Sequence, residues 1–157
     1  MQTQNPFKAL KILHTAILFG LAFFTITSLV IMRDEISKDF DKSLEPILQA
    51  VAAGASLLSL LIGFNIFKKQ LVAARNNGGT AETRMAVYRS ACILWWALID
   101  APGILSIIGF TLTSNYAFIG LVLFHMGLLA IFMPRKSNII LLLNLTSEEV
   151  QRLEGKL

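Results

Sequence analysis

The sequence is poor in charge and nearly devoid of cysteine. Only 15% of its 157 residues are Asp, Glu, Lys or Arg, and Cys92 is the single cysteine. One thiol inside an apolar run excludes an intramolecular disulfide and a cysteine-based zinc site. The chain also lacks a phosphate-binding glycine loop, a G-x-S-x-G elbow, an H-E-x-x-H motif and any metal-spaced cluster. An enzyme of the conventional soluble type is therefore disfavoured, and neither cofactor nor metal is expected. The net charge of +4 comes from basic residues lying between apolar runs, without aromatic interleaving or a nucleic-acid motif, so nucleic acid is not an expected partner.

What is present is hydrocarbon. Hydrophobic residues make up 55% of the chain and the mean hydropathy is +0.65, too apolar for a soluble domain. The apolar residues fill whole windows of ~20 residues, the length that carries a helix across ~30 Å of bilayer. Four runs are seen: Ile12 to Met32, Leu48 to Phe67, Ala91 to Phe110, and Tyr116 to Met133. The first is followed by charge and not by a small-residue cleavage site, so it reads as a retained helix. The expected fold is all-α, an integral membrane bundle of four transmembrane helices near 10–32, 46–68, 84–110 and 115–133. Residues 1–136 form that domain, and residues 137–157 an interfacial and cytoplasmic tail.

Orientation follows from Lys and Arg, which concentrate in short cytoplasmic loops. The N-terminal segment, the loop around Asn77-Gly78-Gly79 and the C-terminal tail hold eleven of them. The remaining loop holds Arg33, Lys38 and Lys42 among Asp34, Glu35, Asp39, Asp41 and Glu45. Both termini are expected in the cytoplasm, in a membrane of the bacterial inner type. In the tail, Thr146-Ser147-Glu148-Glu149 has capping-box spacing, which predicts a short amphipathic, soluble helix that either frays into the cytoplasm or docks on a partner.

Asp100 stands at the midpoint of the third run. A carboxyl there costs roughly 2.5 to 3.5 kcal/mol to insert, and a low-dielectric setting penalises its ionised form, so it suits proton loading and release. Pro102 and Gly103 follow at once; Pro102 has no N–H for the Leu98 carbonyl and predicts a kink. His125 lies mid-run in the fourth helix. Asp100 and His125 are equally far from the turn joining their helices, which places them at one depth as a candidate proton relay. The structural alternatives are interhelical hydrogen bonding by Asp100 and packing by His125. His14 lies eight positions from the centre of the first run, about 12 Å from the depth of His125 at 1.5 Å per residue, too far for joint haem ligation. Trp95 and Trp96 read as core. Ala52, Ser56, Ser59 and Gly63 form a small-residue helix face that permits close packing, and Asn65 is expected to bond across helices.

The hairpin from about Ala50 to Phe110 resembles the proteolipid c-subunit of rotary ATP synthases. The likeness rests on the small face of the second helix, on Ala73-Ala74-Arg75 opening a polar loop, and on Ala97-Leu98-Ile99-Asp100-Ala101-Pro102. It implies that Asp100 carries a proton and that the chain works as a homo-oligomer or within a larger membrane complex. The hairpin departs from the family in its few glycines, long loop, bulky tryptophans and two flanking helices. Three functions follow from these features: proton or ion coupling through Asp100, a non-catalytic scaffold or assembly subunit, and a lipid- or quinone-binding protein.

Overall fold

The computed structural model describes residues 5–32 and 41–156. Every regular element among them is helical: α1 (Pro6–Ile31), a 3-10 turn (Lys42–Leu44), α2 (Glu45–Asn76), α3 (Ala81–Thr113), α4 (Tyr116–Ile131), α5 (Lys136–Leu143) and α6 (Ser147–Leu153). The loop residues Arg33, Asp34, Glu35, Lys38 and Asp39, on which the charge asymmetry partly rests, lie outside the described residues.

Local capping explains why the helices overrun their apolar runs. The Asn5 side chain accepts from the Phe7 and Lys8 amides at 3.0 and 3.3 Å, and Pro6 takes the first position, where a missing N–H costs nothing. α1 therefore starts six residues before Ile12. Lys68 and Lys69 do not end α2, since long basic side chains are good helix formers; the helix continues to Asn76. Thr80 caps α3. Between α3 and α4 the chain turns at Ser114, in the left-handed region at φ 56°, with its N–H on the Phe110 carbonyl at 2.7 Å. Asn115 then caps α4 through the Ala117 amide at 2.8 Å and bonds to Glu45 at the start of α2.

α3 is the central helix, packed along α2 and α4 and, on another side, against α1. Half of its most apolar window is buried, against 17% for α1 and for α2. The outer faces of α1 and α2 accordingly expose Phe19, Phe23, Ile26, Leu57, Leu61 and Ile62. Three helices, α1, α2 and α3, are long and apolar enough to cross a membrane, and a fourth if α4 and α5 count as one span. α4 alone, with 16 residues, reaches about 24 Å, and α5 leaves it at 67°.

The tail differs from the expected frayed segment. Ile139, Leu143, Leu145 and Leu153 are buried in the same apolar cluster as Met85 and Tyr88 of α3. The reason is polar as much as apolar. Asn144 ends α5 in the left-handed region, and the Arg84 guanidinium donates to the Leu143 and Asn144 carbonyls at 2.9 and 3.4 Å. The same side chain pairs with Glu149 of α6, which also closes the capping box with Thr146.

Candidate functional site

Asp100 faces the seam between α3 and α1. There a cleft of about 320 Å³ is lined by Ile17, Gly20, Leu21 and Phe24 of α1 and by Asp100 and Ile104 of α3. Among the described residues, Asp100 is the only polar side chain in that lining. Its Oδ1 is buried and has no hydrogen-bond partner. Gly20 is an exposed member of the lining with nothing within 4 Å of where a Cβ would stand, so the cleft has backbone and no side chain at that position. Phe24 and Ile104, 55% and 41% exposed, form a rim on the outer surface of the bundle.

Gly103, one turn further along α3, is where three helices meet. A Cβ added there would lie 3.3 Å from both Leu21 methyls of α1 and 3.5 Å from the His125 Cβ of α4. His125 is fully buried. Its Nδ1 lies 2.8 Å from the Leu121 carbonyl; a carbonyl only accepts, so Nδ1 carries the proton and donates. Nε2 is buried without a partner. Asp100 and Gly103, three residues apart, are separated by about 60° around the helix. The carboxyl and the imidazole thus flank the seam, and no hydrogen bond joins them.

His14 is a member of the same seam that sequence reasoning left aside. It is buried on α1, with its ring edge-on to Trp96 of α3 at 4.8 Å between centroids. Its Nε2–H donates to the Leu129 carbonyl of α4 at 2.8 Å. That carbonyl belongs to the last turn of α4, where carbonyls have no intrahelical donor. His14 Nδ1 is left buried and unpartnered. The imidazole therefore reaches α4 at a residue one turn, about 6 Å, from His125. Among the described residues, three side chains on the α1–α3–α4 seam, His14, Asp100 and His125, each hold one buried polar atom without a partner.

The two tryptophans separate. Trp96 belongs to this seam, whereas Trp95 turns toward α2 and the end of α4, packing on Phe64, Phe67 and Phe132. Gly63 makes room for it, since a Cβ there would stand 2.8 Å from the indole. Ala52, Ser56 and Gly63 are buried and Ser59 half-buried, so the small-residue face lies largely within the bundle. Asn65 does not bond across helices: its amide donates to the Leu61 carbonyl of its own helix at 2.8 Å. α3 runs through Pro102 as one helix, and the Pro102 carbonyl accepts from the Ser106 hydroxyl at 2.8 Å. Among the described residues no three His, Cys, Asp or Glu side chains could hold a metal ion. Comparison with protein-family models, curated proteins and solved structures found no match.

Proposed function

We propose that this chain is a small polytopic membrane protein that couples protons through Asp100. In this reading α1, α2, α3 and the bent α4–α5 pair are four spans, with both termini in the cytoplasm of a bacterial inner membrane. Exposed phenylalanine and leucine faces on α1 and α2 support a lipid surround, because a soluble monomer rarely leaves such continuous apolar area in water.

The observation that carries the functional reading is the lone carboxyl in an apolar cleft. A buried carboxyl with a structural role is held by a partner, since an unsatisfied buried polar atom costs about 1–3 kcal/mol. Asp100 is half-buried; its shielded Oδ1 has no partner, and the cleft beside the carboxyl opens on the bundle surface. A group placed so can exchange a proton with whatever enters. The small-residue hairpin of α2 and α3 keeps the c-subunit likeness in play as part of the proposal, although here α1 lies on the carboxyl side of α3, where it would limit ring contacts.

The test is carbodiimide labelling of the protein in lipid across pH, read by mass spectrometry with Asp100→Asn as control. Labelling at Asp100 that fades as pH rises supports proton coupling. Absence of labelling at every pH, or an Asp100→Asn variant that loses its fold while the wild type shows no proton-linked behaviour, turns the assignment toward a scaffold subunit.

A further inference from the structure

The cleft at Asp100 also defines what could occupy it. Its lining is hydrocarbon except for one carboxyl. A metal ion would need several oxygen ligands where the site supplies a single side chain. An anion would meet the carboxyl with like charge, and a pure hydrocarbon would leave the carboxyl unpartnered. A body that is apolar with one positive charge satisfies both wall and carboxyl. The volume of about 320 Å³ lies at the small end of ligand clefts, roughly 300–1,000 Å³. At the rim, the exposed ring of Phe24 offers a face to a cation.

Among the described residues, the lining holds no competing charge. α1 contributes His14, which lies below the cleft against Trp96 and is engaged with Leu129. α4 contributes His125 beyond Gly103, and α2 contributes nothing to the lining. Among the described residues no Lys or Arg side chain lines the cleft, so the carboxyl has no cation of its own there.

We propose that the α1–α3 cleft binds a lipophilic organic cation, which enters from the side of the bundle and takes the place of the Asp100 proton. In the exchange the carboxyl O–H bond breaks, the proton leaves to water, and a carboxylate–ammonium ion pair forms without any covalent change in the ligand. This inference rests on the reading of Asp100 as proton-carrying and adds the class of molecule that its proton is exchanged for.

The experiment uses the full chain in lipid nanodiscs in weak buffer, with dodecyltrimethylammonium as probe and dodecanol as its uncharged counterpart. Binding and proton release are followed together, the latter with a pH indicator. Saturable binding of the ammonium with release of about one proton per cation supports the site. Asp100→Asn should then abolish the release and weaken binding at least about tenfold, a loss of about 1.4 kcal/mol. Gly20→Leu adds a bulky side chain at a lining position with free space, and should weaken binding while leaving Asp100 in place. Equal saturable binding of dodecanol, or ammonium binding indifferent to both variants, overturns the proposal. Carbodiimide labelling of the same preparation separates the two readings. A labelled Asp100 without cation-linked proton release overturns the cation site alone, whereas an unlabelled Asp100 removes the proton-carrying role beneath it.

Discussion

At the scale of single residues, the close packing of this bundle depends on glycines that no side chain can replace. A Cβ at Gly109 would stand 2.6 Å from the Phe118 ring, inside contact distance, so α4 would have to move away from α3. Gly109→Ala should lower stability by about 1–3 kcal/mol, the range for overpacking a filled interior, in thermal unfolding of the detergent-solubilised protein. Gly127 has nothing within 4 Å of its Cβ position, and Gly127→Ala should stabilise by about 0.5–1 kcal/mol through helix propensity alone. His14 illustrates a different dependence. Its Nε2–H occupies the Leu129 carbonyl, so His14→Phe should cost about 1–3 kcal/mol by orphaning that acceptor. His14→Gln, which keeps a donor, should recover part of the loss in the same measurement.

At the scale of elements, the polar tie between the C-terminal helices and the start of α3 is one arginine, added to the buried Ile139, Leu143, Leu145 and Leu153. Arg84 donates to two carbonyls at the end of α5 and pairs with Glu149 of α6. Arg84→Met should loosen residues 136–153 without releasing their buried apolar side chains, read as faster amide hydrogen exchange across α5 and α6 with little change in α1. Acid should act on the same contact. Glu149 is held below the usual glutamate range, first by the Thr146 backbone N–H and also by Arg84. A carboxyl whose folded value is depressed contributes stability above its unfolded value and loses it as pH falls through the folded one. Tail protection should therefore be flat through neutral pH and decline only below the ordinary glutamate range. A decline on the alkaline side would contradict the assignment of Glu149 as the titrating partner.

At the scale of the whole molecule, the proposed topology places the α2–α3 loop and the tail on one side and the 3-10 turn before α2 on the other. Single cysteines at Gly78 and Ser147 should react with a membrane-impermeant maleimide only in inverted vesicles, and one at Ser43 only in intact cells. Cys92 is buried and should stay silent in both. Labelling of Gly78→Cys and Ser147→Cys from opposite sides would mean that α4 and α5 do not form one crossing. Deleting the chain after Pro134 should also destabilise the bundle, because Leu143, Leu145 and Leu153 cover Met85 and Tyr88.

How far the molecule was legible before folding differs along the chain. The helical class, the approximate position of each long helix and the placement of Asp100 within α3 follow from apolar runs alone, because twenty consecutive apolar residues have few structural solutions. The helix ends were less legible: Asn5, Thr80 and Asn115 act through one or two side-chain hydrogen bonds each, which hydropathy does not register. The tail and the seam were decided only in three dimensions. That Arg84 meets Glu149, 65 residues away, depends on where α5 turns. That His14 caps α4 depends on which helix lies beside its last turn. Hydropathy determines which side chains leave water. Which of them then face one another, and which polar atom among them is left without a partner, is set by the packing angles and close approaches that Gly63, Gly103 and Gly109 allow.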